Sequence, residues 1–134
     1  MTIQSAAEFV RLRSSVVPEE YRRAADEDAP LEVWRRVVDE YPSMREWVVH
    51  NKTVPVEILE ALASDADPAV RFRVAMKRKA PPRVLEVLAE DPDESVRERV
   101  SSNKKTPNYL LEKLIADPSE VVREAARKNL SGRG

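Results

Sequence analysis

The chain has 134 residues and a formal net charge of −1, with 42% hydrophobic and 35% charged residues, the balance of a soluble folded domain rather than of a disordered segment. It has no cysteine, a single histidine (His50) and two glycines (Gly132 and Gly134), which excludes disulfides, thiolate and iron–sulfur centres, multi-histidine metal sites and glycine-rich phosphate loops. No stretch approaches the roughly 18 apolar residues of a membrane span and the N-terminus lacks a leader pattern, so the expectation is a cytoplasmic protein without membrane, metal or cofactor.

In chain order, Ser5-Ala-Ala-Glu8 is a capping box and predicts an opening helix that carries Phe9, Val10 and Leu12. Pro18 to Ala25 reads as a worn copy of a later helix, with Arg22 in the role of Arg45. Residues 1–29 are therefore expected to be capping helices and a degenerate half repeat. Pro30 to Val38 predicts a helix with Val33, Trp34 and Val37 in the core, followed after a shortened turn by a helix at Met44-Arg45.

From Asp39 onward one frame recurs every 26 residues. Asp65, Asp91 and Asp117 are followed by Val70-Arg71, Val96-Arg97 and Val122-Arg123, and Pro55, Pro81 and Pro107 mark one point of each unit. A fixed period of about 20 to 50 residues marks stacked supersecondary units. Each unit predicts a helix A started at proline (Ile58, Leu59 and Leu62 inward) and, after an aspartate turn, a helix B (Val70 and Val74 inward). Val84-Leu85-Leu88 with Val96-Val100, and Leu110-Leu111-Leu114 with Val122-Ala126, repeat the pattern. Asn51, Asn103 and Asn129 end helix B, where asparagine tolerates the left-handed conformation; Lys77 replaces it once. Lys113 stands where Ala61 and Val87 do, and Arg127 where Val49 and Ala75 do, as a polar terminal unit requires, so the array is expected to be complete. The fold class is all-α: a right-handed α-solenoid of about four helical pairs over 30–130, within one domain 1–130, and a disordered tail 131–134.

The run from Leu88 through Asp91-Pro92, Val96-Arg97, Val100 and Asn103 to Pro107 resembles the leucine-rich repeat variant family, a short HEAT-like helical repeat, over about Pro30 to Leu130. The resemblance implies helix pairs stacked into a curved superhelix that serves as a scaffold for macromolecules. The iron–sulfur module of some members cannot be built without cysteine.

Three groups of residues bear on function. The column Arg45, Arg71, Arg97 and Arg123 is expected to bond the aspartate turns and lock units together rather than to bind phosphate. Lys77, Arg78 and Lys79, with Lys52, Lys104 and Lys105, form a basic edge at the ends of helices B, and acidic residues gather at their starts; both placements complement helix dipoles, and the basic edge is also the candidate anion or nucleic-acid site. Trp47, His50, Phe72, Arg73, Met76 and Arg99 lie on the side of helices B away from the core, expected to line the concave face of the solenoid, and are the candidate protein-binding residues. Whether Trp47 and Phe72 pack against neighbouring helices or give that face an apolar centre is left open. Trp47, Arg73 and Arg99 loosely echo HEAT-like alkylpurine DNA glycosylases, with only Glu46 and Glu98 as acidic candidates. No catalytic residue is assigned. The expected function is a non-enzymatic scaffold for a protein or peptide partner; the alternatives are nucleic-acid binding on the basic edge and, further off, a HEAT-like DNA-processing enzyme.

Overall fold

Short apolar stripes at helical spacing, punctuated by proline and aspartate turns, produce an all-helical chain. In a computed structural model, which describes residues 2–133, ten α-helices and one 3₁₀ turn occupy the described residues, and the single extended pairing among them is the Thr2–Asp28 bridge. The chain forms two compact units, Met1–Leu59 and Glu60–Gly134.

The first unit contains α1 (Ala6–Ser14), α2 (Pro18–Asp26), α3 (Leu31–Glu40), a 3₁₀ turn (Pro42–Met44), α4 (Arg45–His50) and the start of α5 (Val56–Leu62). Half of the capping box forms: Ser5 Oγ accepts from the Glu8 N–H at 3.0 Å, while the Glu8 carboxylate accepts at 2.7 Å from the N–H of Gln4, one residue before the N-cap. Its core is Ile3, Phe9, Leu12, Trp34, Val37 and Val48, all solvent-free, with Phe9 edge-on to Trp34 at 5.2 Å; Val10 and Val33 are only part-buried. Arg22 does not take the place of Arg45. It is exposed, and Arg23 instead bonds Glu27 at 2.6 Å, while Arg45 Nε donates to the Val38 carbonyl at 2.8 Å.

The second unit contains the end of α5, then α6 (Pro68–Met76), α7 (Pro82–Leu88), α8 (Glu94–Ser102), α9 (Asn108–Leu114) and α10 (Glu120–Ser131). The three longer helices pack in sequence, α6 on α8 and α8 on α10, with α7 against α6 and α8, and α9 against α10. Their inward residues, Val70, Val74, Leu85, Leu88, Val96, Val100, Leu111, Leu114, Val122 and Ala126, are those of the periodic stripes, and all are buried. Asp67 and Asp93 cap α6 and α8 by accepting from the Ala69 and Ser95 N–H groups at 2.9 and 2.8 Å. Pro81 and Pro107 are N-caps with φ of −71° and −61° rather than first-turn residues.

Asparagine at the end of helix B works otherwise than expected. Asn51 (φ −58°, ψ 134°) and Asn103 (φ −68°, ψ 125°) are not left-handed. Their side chains form a ladder instead: Asn103 Nδ2 donates to the Ala75 and Lys77 carbonyls at 2.8 and 3.0 Å, and Asn129 Nδ2 to the Ser101 and Asn103 carbonyls at 2.8 and 3.0 Å. In the first unit Asn51 Nδ2 donates likewise to Ala24 and Glu27 at 2.7 and 3.0 Å. The amide thus satisfies carbonyls left open at the end of the preceding helix, a need that the chain must meet at every helix terminus.

Two further expectations change. Val87 is 57% exposed and Ala61 is also exposed, so Lys113 in that column marks no difference between units. The other column does differ, because Val49, Ala75 and Ser101 are buried and Arg127 is exposed; the Ser101 hydroxyl has no hydrogen-bond partner among the described residues. The segment expected to be disordered continues α10 to Ser131, and Arg133 donates to the Thr106 carbonyl at 2.6 Å, to Asn108 Oδ1 at 2.8 Å and to the Lys104 carbonyl at 2.9 Å. Gly134 lies outside the described residues.

Candidate functional site

The arginine column is consumed by structure. Arg71 Nη1 donates to the carbonyl of Asp65 in its own turn at 2.7 Å, while Nε and Nη2 hold the Asp91 carboxylate of the following turn at 2.8 and 3.2 Å. Arg97 repeats this with the Asp91 carbonyl at 2.7 Å and the Asp117 carboxylate at 3.0 and 3.3 Å, and Arg123 bonds the Asp117 carbonyl at 2.8 Å. Asp91 and Asp117 each also accept from the N–H two residues on, at 2.9 and 2.8 Å. Each aspartate therefore folds its own turn and clamps the preceding helix B, and the Arg71 and Arg97 side chains are only 14% and 16% exposed. Hydrogen bonding to Asp91 raises the pKa of Arg71 further.

Of the six candidate protein-binding residues, Phe72, Arg73, Met76 and Arg99 belong to the second unit. Met76 is 44% exposed, Phe72 is part-buried, and the Arg99 guanidinium carbon lies 5.2 Å from the Phe72 ring centroid. Arg99 Nε is buried there without a hydrogen bond among the described residues. Further along this surface Glu98 and Ser102 of α8 and Ala125 and Lys128 of α10 line a groove of about 750 Å³ that Lys104 and Arg133 close.

Trp47 and His50 belong to the first unit. Their rings meet edge to face at 5.8 Å, and the Arg13 guanidinium lies over Trp47 at 3.5 Å. Together with Tyr21, Arg22 and Lys52 they line a groove of about 580 Å³. Sequence reasoning missed Arg13, Tyr21 and Arg22, because α1 and α2 lie outside the clear period. One signal was available: no acidic residue stands three or four positions from Arg13 to pair with it on the helix.

The basic edge is uneven. Arg78, Lys79, Lys104 and Lys105 are exposed, whereas Lys77 is part-buried, and desolvation together with Lys79 pushes its pKa down to about 8. Lys52 pairs with Asp26 at 3.1 Å. Among the described residues no group of three or more His, Asp or Glu side chains is placed to hold a metal ion, and no helix is long and apolar enough to cross a membrane. No family model, curated protein or solved structure matches this chain.

Proposed function

We propose that the chain is a non-enzymatic helical-repeat scaffold of the leucine-rich repeat variant type, a right-handed α-solenoid that binds a protein or peptide partner through the concave face of its B helices. One observation carries this reading: the same bonds return at the same separations. Arginine to aspartate spans 20 residues twice, and asparagine to the two preceding carbonyls spans 28 and 26 residues twice. A chain whose polar side chains are spent on repeating its own turns leaves function to residues that depart from the template. Phe72 is such a residue, since Glu46, Glu98 and Glu124 occupy its place elsewhere.

Phe72 and Met76 offer adaptable apolar area beside Arg73 and Arg99, residue types suited to anchoring an interface. Phe72→Glu restores the template residue and sets a carboxylate beside Arg99. It is expected to leave the melting temperature within a few degrees of wild type and to abolish capture of the partner that the wild-type chain enriches. A fall of many degrees would place Phe72 in the core and remove it from the site. A second reading, nucleic-acid binding on the basic edge, draws on the convergence of Lys104, Lys128 and Arg133 on one groove beside Lys105. It requires association that weakens steeply with salt.

A further inference from the structure

Four of the seven arginines of the first unit, Arg11, Arg23, Arg36 and Arg45, are bonded within it. Arg11 bonds Glu20 at 2.8 Å, Arg23 bonds Glu27 at 2.6 Å, and Arg36 pairs with Glu40 at 3.3 Å. Arg13, Arg22 and the exposed Arg35 are not so bonded among the described residues, and of these Arg13 and Arg22 share one groove. Both line the 580 Å³ groove, and neither has a carboxylate or hydrogen-bond partner among the described residues. Arg13 is nevertheless held in place, because its guanidinium lies over the Trp47 ring at 3.5 Å. Stacking occupies the face of a guanidinium and leaves its in-plane N–H groups for an acceptor, the fork that suits a carboxylate. Lys52 adds a third cation, but Asp26 at 3.1 Å neutralises it, so the groove keeps two uncompensated positive charges.

We propose that this groove binds an acidic peptide segment, with partner carboxylates on Arg13 and Arg22 and an adjoining apolar side chain against Tyr21 and the rim of Trp47. The inference rests on the reading of the chain as a protein-binding scaffold and assigns the chemistry of its partner. Tyr21 is 41% exposed and Trp47 is part-exposed, which gives an amphipathic wall beside the cations. The volume lies within the roughly 300–1,000 Å³ of ordinary ligand sites. Peptide is favoured over single-stranded nucleic acid on two grounds. Base stacking needs an open aromatic platform, and one face of Trp47 is already covered by Arg13; a phosphate backbone also needs cations that track it, whereas here two converge on one groove.

The test is an NMR titration of the whole chain at low salt with a capped peptide alternating glutamate and phenylalanine, its glutamine analogue, and an oligothymidylate. The Trp47 indole N–H is the reporter, and the indole of solvent-free Trp34 is the internal control for an intact core. The acidic peptide is expected to move the Trp47 resonance and not that of Trp34, with binding weakened by salt. The glutamine analogue is expected to bind at least about tenfold more weakly, and Arg22→Gln to weaken the acidic peptide about tenfold, the loss of one charge-assisted contact. Arg13→Gln combined with Arg22→Gln is expected to abolish binding. Should Arg13→Gln disturb the Trp34 signal, Arg22→Gln alone decides, since Arg22 is exposed. Equal binding of the glutamine analogue, unchanged affinity in Arg22→Gln, or tighter arginine-dependent binding of the oligothymidylate would each overturn the proposal. Phe72→Glu, in the other unit, is expected to leave this titration unchanged, so that failure of the acidic peptide is distinguishable from failure of the Phe72 surface.

Discussion

Asn103→Asp is expected to destabilise the second unit by about 3 to 5 kcal/mol, although it changes one atom of the side chain for another of nearly equal size. Asn103 is 5% exposed. Its Oδ1 accepts from the Lys105 N–H at 2.8 Å, a bond that a carboxylate keeps, but its Nδ2 donates to the Ala75 and Lys77 carbonyls at 2.8 and 3.0 Å. The substitution turns two attractive contacts into an anion facing two carbonyl oxygens away from water. Burial and those carbonyls raise the pKa of the new carboxyl in the folded state, so the defect is full at neutral pH. It shrinks as pH falls toward the ordinary aspartate range near about 4, where the protonated group donates one bond again. Thermal melts of wild type and variant at neutral and mildly acidic pH measure this directly. A variant as stable as wild type at neutral pH would show that the asparagine ladder carries no energy.

Arg97→Ala is expected to cost about 2 to 4 kcal/mol. It removes three bonds at once, two to the Asp117 carboxylate at 3.0 and 3.3 Å and one to the Asp91 carbonyl at 2.7 Å. Asp117 is 8% exposed and, among the described residues, keeps the Ser119 N–H at 2.8 Å as its one remaining hydrogen bond. A stranded, largely buried carboxylate costs more than the pair contributed when intact. Arg83 supplies the contrast. Its bidentate pair with Glu60 leaves 63% and 39% of the two side chains exposed, so Arg83→Ala is expected to melt close to wild type. Equal melting temperatures for Arg97→Ala and wild type would release the arginine column from its structural role and return it to the candidates for anion binding.

Much of the second unit was legible because its signals are local and repeated. Val70, Val74, Leu85, Val96 and Leu111 declare their faces by spacing, and all are buried. The Asp–Val–Arg register likewise foretold a link between turn and helix B, although not that the carboxylate belongs to the following turn. Asparagine was misread for a physical reason. Its tolerance of left-handed backbone is a property of one residue, whereas the amide in fact reaches carbonyls 26 and 28 residues earlier, a contact that no local rule contains. The same holds for Arg133, whose bonds to residues 104, 106 and 108 order a segment that composition marks as loose. The groove at Trp47 lay furthest from view. It depends on how α1 and α2 meet α4, and the period fades where those helices begin.

Removal of residues 78–103, one period of 26, tests the repeat most directly. The junction joins Lys77 to Lys104 and keeps the two recurring links: Arg71 would clamp Asp117 in place of Asp91, and Asn129 would donate to the Ala75 and Lys77 carbonyls in place of Ser101 and Asn103. If the units are interchangeable, the shortened chain gives a helical circular dichroism spectrum without sheet and melts in one cooperative transition, with a stability lowered by the loss of one unit and one interface. A molten, non-cooperative or aggregating product would contradict the account, since it would mean that the recurring bonds do not make the units equivalent.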